Sequence, residues 1–273
     1  MPSTKLATLS SFVGGAPPGE LEDVVADIKA LTTDEPNLLS SLNSALEKYN
    51  EEQLCTVELP GGNQQAIISS HSAVGNRYYD VASQRSFVVD HATQKASAVE
   101  SFVPQTNNID LLKSLLKSLA AHATEHFPSA TVGAYPIEND SAIAILLVAN
   151  KYSPTNYWNG RWRSEYILSP SDATLTGSIK VDVHYYEDGN VRLLTNKTVS
   201  ISLSSSPSAV EITKHISAAE KKYQEELNRA FNNLSEETFK GLRRQLPVSR
   251  QKIKWENIGS YRLGQDVGGG RNR

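Results

Sequence analysis

Between Ser208 and Lys240 the chain runs for about 33 residues without a glycine or a proline. Ile212, Ile216, Ala219, Tyr223, Leu227, Ala230 and Leu234 fall on one stripe of that run, which predicts a single long helix. Ser206 is placed to cap it and Pro207 to occupy its first turn. At 1.5 Å per residue such a helix is ~50 Å long, more than a small domain is wide. It has to lie across an extended surface, and a sheet enlarged by a partner subunit would supply one.

The segments before it fit that demand. Residues 130–137, 141–149, about 157–168, 177–187 and 190–203 read as five strands, joined by turns short enough for an antiparallel meander. Asp188-Gly189 suits a two-residue primed turn, with alternating Val181, Val183, Tyr185 and Val191, Leu193 on either side. Residues 108–127 predict a helix whose stripe is Leu112, Leu115, Leu119 and His122, ended by Pro128. Between about 55 and 103, short β-prone runs such as Ala66 to Ile68 and Phe87 to Val89 alternate with Gly and Asn turns. Residues 17 to about 53 read as a small antiparallel helical unit. Its first stripe is Leu21, Val24, Val25, Ile28 and Leu31, and its second, after Pro36, is Leu38, Leu39, Leu42, Ala45, Leu46 and Tyr49. The fold class is α+β, and only the two ends look loose.

Charged residues at 21% and apolar residues at 39% are the composition of a globular chain. Cys55 is the lone cysteine, so no internal disulfide and no thiolate zinc cage can form, and a reducing compartment is expected. The longest apolar run, Ala142 to Ala149, is far short of the ~20 residues a spanning helix needs, so no transmembrane segment is expected. Residues 5–16 faintly resemble a signal peptide, but Thr8, Ser10 and Ser11 break the apolar stretch. A cytoplasmic protein is the expectation. The net charge of −3 hides an asymmetry: residues 240–273 carry nine Lys or Arg against two acids. Such a segment is either a solvated face or the contact for an acidic protein, a phosphoinositide or a nucleic acid. Beyond Pro247, Trp255, Ile258 and Tyr261 fall within about 120° of a helical wheel, with Lys252, Lys254 and Arg262 supplying charge. Gly259, Gly264 and Gly268 to Gly270 weaken that helix, which is expected to be mobile when unbound.

Catalytic motifs are weak. His122-Ala123-Thr124-Glu125-His126 has the H-x-x-E-H spacing of inverted zinc proteases, in which two histidines one turn apart hold zinc and the glutamate polarises water. The histidines also continue the stripe of Leu112, Leu115 and Leu119 up to the helix end, where an imidazolium is favourable, and no third ligand is identifiable. His184 reads as a strand histidine. No G-x-S-x-G, G-x-G-x-x-G or P-loop motif is present, so no catalytic residue, metal or cofactor is expected. Arg161 and Arg163 interleave with Trp158 and Trp162, as in a stacking platform for single strands. On a strand, however, the two tryptophans share one face and the two arginines the other, which is core packing opposite ion pairing.

Tyr157 to Tyr166, YWNGRWRSEY, closely resembles the signature of the capping-protein alpha family. Two further blocks agree in order, VDVHYYEDGNVRL from Val181 to Leu193 and LRRQLPVSRQKIKW from Leu242 to Trp255. Shorter agreements occur at Ala16 to Glu20, Tyr49-Asn50, Gly75-Asn76 and Asp90-His91, so the resemblance covers nearly the whole chain. It implies a mushroom-shaped heterodimer with a beta subunit, in which helical stalks support one shared antiparallel sheet crossed by a long helix from each chain. On that pattern residues 1–54 would be the N-terminal helical stalk and 55–107 a small β-rich globule. Residues 108–205 would be a helix and the central five-stranded sheet, 206–246 the long helix and a basic helix, and 247–273 an amphipathic tentacle with a flexible tail.

The implied function is calcium-independent capping of the barbed ends of actin filaments, blocking subunit exchange without severing or catalysis. Family positions implicated in actin binding carry over to Lys240, Arg244, Arg250 and Lys252, followed by tentacle contacts from Trp255, Ile258 and Tyr261. Those for phosphoinositide inhibition carry over to Lys240, Arg244 and Arg250. Partners are then the beta subunit, the filament end, phosphoinositides and capping-protein regulators, with no nucleic acid, in cortical actin structures of the cytoplasm. The chain departs from the family in its Gly268 to Arg273 tail and in Lys254, where relatives often carry an acid. The alternative is a phosphoinositide- or RNA-binding module using the basic segment, which would need no partner subunit and would bind in a strongly salt-dependent way.

Overall fold

The computed structural model describes residues 2–35, 37–62, 64–127, 129–187 and 189–234. Two compact units divide the chain, residues 1–219 and 220–273.

Helix α1 (Pro2–Gly15) occupies a segment expected to be loose. Leu9 and Val13 lie one turn apart and are buried, so two well-placed apolar residues suffice where the serines and threonines dilute the wider pattern. Helix α2 (Leu21–Leu31) buries Leu21, Val25 and Ile28. The expected second stripe is split into α3 (Asn37–Ser40) and α4 (Asn43–Glu52). Helix α1 packs on α2 and α4. Strands β1 (Thr56–Glu58) and β2 (Gln65–Ile67) pair with each other, and β3 (Ala73–Val74), β4 (Arg77–Asp80), β5 (Arg85–Asp90) and β6 (Lys95–Ser101) form a four-stranded antiparallel sheet in sequence order. A single apolar core joins these helices to both small sheets, from Val13 and Ile28 through Leu46 to Ile68, Phe87 and Val89.

Helix α5 (Ile109–His126) precedes the meander β7 (Ala130–Ile137), β8 (Ala142–Ser153), β9 (Trp158–Ser169), β10 (Thr174–Tyr185) and β11 (Val191–Ser202). All five strands are antiparallel neighbours, in the order β11-β10-β9-β8-β7. The α+β class and the five-stranded meander are as expected. One face of the meander packs through Trp162 and Leu147 against Ala123 and Phe127 at the end of α5.

The β10–β11 connection departs from expectation. Tyr185 pairs with Val191 and Val183 with Leu193, so the last pair is separated by residues 186–190 and not by a two-residue turn. Asp188 itself lies outside the described residues. A two-residue turn would have set Val183 opposite Leu194 and turned the two apolar rows to opposite faces.

Helix α6 (Ala209–Asn233) follows, with Ile212 and Ile216 buried. Its cap is Ser208 and not Ser206: the Ser208 hydroxyl accepts from Glu211 N at 3.2 Å, the bond that satisfies a free amide of the first turn. Residues 235–240 of the expected helix, and the expected tentacle, lie outside the described residues.

Candidate functional site: a polar seam and an open sheet edge

A strand alternates its side chains between faces, so Asn159, Arg161, Arg163 and Glu165 of β9 share the face opposite Trp162. Each meets a group from far away in the chain. Asn159 Nδ2 donates to Glu20 Oε1 at 2.8 Å. Arg161 donates from Nε to Asn150 Oδ1 at 2.8 Å, from Nη1 to the Gln53 carbonyl at 3.3 Å and from Nη2 to Tyr152 Oη at 2.7 Å. Arg163 Nη1 donates to the Glu52 carbonyl at 2.5 Å. Glu165 meets His71 Nε2 at 2.8 Å, and this hydrogen bond lowers its pKa from the ordinary value. Among the described residues neither Arg161 nor Arg163, from which ion pairing on this face was expected, bonds a carboxylate. Arg161 and Arg163 instead neutralise carbonyls at the C-terminal end of α4, where cations are favourable.

Strands β10 and β11 extend the seam. Asp182 is wholly buried and takes a two-pronged contact from Arg192, Nε to Oδ1 at 2.9 Å and Nη2 to Oδ2 at 2.7 Å. The same guanidinium donates to the carbonyls of Gly15 at 2.5 Å and Ala16 at 3.2 Å, closing the C-terminus of α1. Asp182 raises the pKa of Arg192 by these hydrogen bonds. His184 lies between Glu20 Oε1 at 2.7 Å and Asn190 Oδ1 at 3.0 Å. Tyr49 Oη donates to the carbonyls of Ala16 at 3.1 Å and Pro17 at 3.3 Å. Gly19 has φ +78°, and a Cβ there would stand 3.0 Å from the Tyr152 ring, so glycine permits both the turn and the close approach. Asn50 Nδ2 donates to the His91 carbonyl at 2.9 Å and to its Nδ1 at 3.2 Å.

The sequence blocks that carried the resemblance therefore converge: Ala16 to Glu20, Tyr49-Asn50, Asp90-His91, the Tyr157 to Tyr166 run and Val181 to Leu193. What they build is a joint between the N-terminal helices and the sheet. His122 belongs to another neighbourhood, buried edge-on against Phe127 with centroids 5.9 Å apart, while His126 Nδ1 donates to the His122 carbonyl at 3.1 Å. Among the described residues no group of three or more His, Cys, Asp or Glu is placed to hold a metal ion. None of the described helices is long and apolar enough to cross a membrane.

The sheet ends in an open edge. Strand β11 is twelve residues long, none of them buried, and Val191 and Leu194 are each 63% exposed. Among the described residues it pairs with β10 on one side only, which leaves about half its backbone N–H and C=O groups without a strand partner there. The family model for the F-actin capping protein alpha subunit matches residues 9–266. The chain belongs to that family. It is 65% identical over 266 residues to the F-actin-capping protein subunit alpha of Neurospora crassa, covering 97% of both chains, and 64% identical over 268 residues to that of Chaetomium thermophilum. The counterpart in Yarrowia lipolytica is 41% identical over 268 residues. A solved structure of the homodimeric actin capping protein alpha subunit from Plasmodium berghei superposes with a TM-score of 0.72 at 18% identity, covering 91% of this chain and 99% of that one. That likeness establishes the shared fold.

For an actin-capping alpha subunit the seam is architecture. Lys240, Arg244, Arg250, Lys252, Trp255, Ile258 and Tyr261, the positions expected to meet actin, all lie outside the described residues. Sequence reading missed Glu20–His184 and Asp182–Arg192. The one local signal was a strand carrying Asp182 and His184 among valines, polar groups on a face that has to be covered.

Proposed function

We propose that this chain is the alpha subunit of a heterodimeric cap that binds the barbed ends of actin filaments independently of calcium and blocks subunit exchange without severing. Family membership over residues 9–266 carries the reading, and the open β11 edge supports its dimeric part: a twelve-residue strand with no strand on its outer side among the described residues is a template for another chain. A beta subunit pairing there would extend the sheet and broaden the platform for the long helix. The division into a stalk, a globule, a sheet with its helices and a C-terminal tentacle belongs to the same reading.

Six basic residues between Lys240 and Lys254, with no acid among them, would steer the cap onto an acidic filament surface. Lys240, Arg244, Arg250 and Lys252 orient it, and Trp255, Ile258 and Tyr261 then slow its release by apolar burial. Phosphoinositide headgroups compete for Lys240, Arg244 and Arg250, and regulators of capping act on the same complex. Catalysis plays no part, and the protein works in the cytoplasm at cortical actin.

Elongation of pyrene-labelled actin from barbed-end seeds tests the proposal, using co-expressed alpha and beta subunits. Substoichiometric complex stops growth, and a folded triple alanine variant at Lys240, Arg244 and Arg250 caps much more weakly. Growth that continues at wild-type rates in the presence of the intact complex would sink it. Since the Plasmodium berghei relative is homodimeric, the purified complex is also weighed: equal alpha and beta content supports the heterodimer, and two alpha chains defeat it.

A further inference from the structure

Arg163 presents an unused hydrogen-bonding edge. It is only 7% exposed, its Nη1 is committed to the Glu52 carbonyl, and its buried Nε meets no acceptor among the described residues. Burial first, and then the neighbouring Arg161 charge, lower its pKa from the ordinary arginine value. The Nε side of a guanidinium is a fork that takes a carboxylate in two parallel bonds.

Arg163 also lines a pocket of about 610 Å³ whose other walls include Lys180 of β10, the end of α4 and the Ser69-Ser70 turn. The carboxylates around it are already engaged. Tyr78 Oη donates to Glu51 at 3.0 Å, Lys48 Nζ stands 3.7 Å from Glu52, and His71 holds Glu165. What remains is cationic: the Arg163 fork, and Lys180, which makes no hydrogen bond or ion pair among the described residues. Lys180 pairs across the sheet with exposed Asn196 of β11, and Leu194, one step along the same face, is uncovered.

We propose that this pocket receives an aspartate or glutamate carboxylate from the polypeptide that pairs with β11, gripped by the Arg163 fork and covered by Lys180. The inference rests on the partner reading above. A strand added outside β11 lies about 10 Å from β10, beyond the reach of its own side chains. The carboxylate therefore comes from a loop or helix end of the partner that passes beneath the sheet.

Zero-length carbodiimide coupling of the purified heterodimer, followed by peptide mass spectrometry, is the test. An amide between Lys180 and an Asp or Glu of the beta subunit is expected. Lys180→Glu raises the subunit dissociation rate about tenfold or more, Arg163→Lys, which keeps the charge and loses the fork, raises it less, and Lys113→Glu on the exposed side of α5 leaves it unchanged. If the subunits copurify but Lys180 couples only to Glu165 of its own chain, or if added phosphate shields Lys180 in the intact heterodimer, the pocket is not filled by the partner and the inference falls while the β11 reading stands. Subunits that do not copurify overturn both.

Discussion

Asp182 reaches no solvent, yet it faces one guanidinium that also closes helix α1. Asp182→Asn leaves Arg192 without its counter-charge, and breaking such a pair costs about 3 kcal/mol or more. In a chain of this size that lowers the melting temperature by roughly 6–12 °C, readable by circular dichroism on the purified complex. A second residue-scale prediction concerns Gly177, opposite Tyr166. A Cβ there would lie 2.2 Å from the Glu165 carbonyl and 2.8 Å from the Tyr166 backbone, and backbone cannot give way. Gly177→Ala is expected to abolish soluble expression, while Gly189→Ala, with open space around it, is tolerated. A third concerns pH. Burial lowers the pKa of His91 below 6.5 in the folded state, so the unfolded chain takes up the proton first. Its contribution to stability is complete above pH 6.5 and declines as pH falls. His91→Gln removes that limb of a melting-temperature profile between pH 7 and 5. A lower limb, below about pH 4.5, persists because hydrogen bonds from Thr106 and His71 depress Asp140 and Glu165, which favour the fold only while ionised.

Elements were legible wherever one face is apolar and regular. Leu112, Leu115 and Leu119 announce α5, and β7 through β11 follow from runs bounded by turns. Helix α1 was not legible, since Leu9 and Val13 are its buried apolar pair, Ser10 and Ser11 stand between them and Gly14 follows. The β10–β11 register was misread for a related reason: Asp-Gly prescribes a local turn, whereas the pairing of Val183 with Leu193 follows the faces of the whole sheet. The seam was illegible because its partners are remote; nothing near His184 names Glu20, 164 residues away. The open edge yields its own prediction. Leu194→Lys leaves the melting of the described fold within ~0.5 kcal/mol, as exposed positions do, but weakens retention of the beta subunit on an affinity column. Unchanged retention would mean that this face of β11 is not covered.

Over the whole molecule, charge and apolar burial divide the proposed capping task between association and release. The capping on-rate is expected to fall as salt rises, with a shallower slope for the Lys240, Arg244 and Arg250 alanine variant, whereas Trp255→Ala chiefly speeds uncapping. Single-filament microscopy separates the two rates. The bond from Arg192 to the carbonyl of Gly15 spans 177 positions of the chain. During synthesis at about 5–20 residues per second, the first helix therefore leaves the ribosome roughly 10–35 s before the guanidinium that will close it. For that interval the C-terminus of the first helix lacks its closing guanidinium, and when Arg192 does emerge it brings the edge strand with it. The nascent chain completes its own joint and exposes its partner's template in the same moment, which favours assembly beside a beta subunit already at hand.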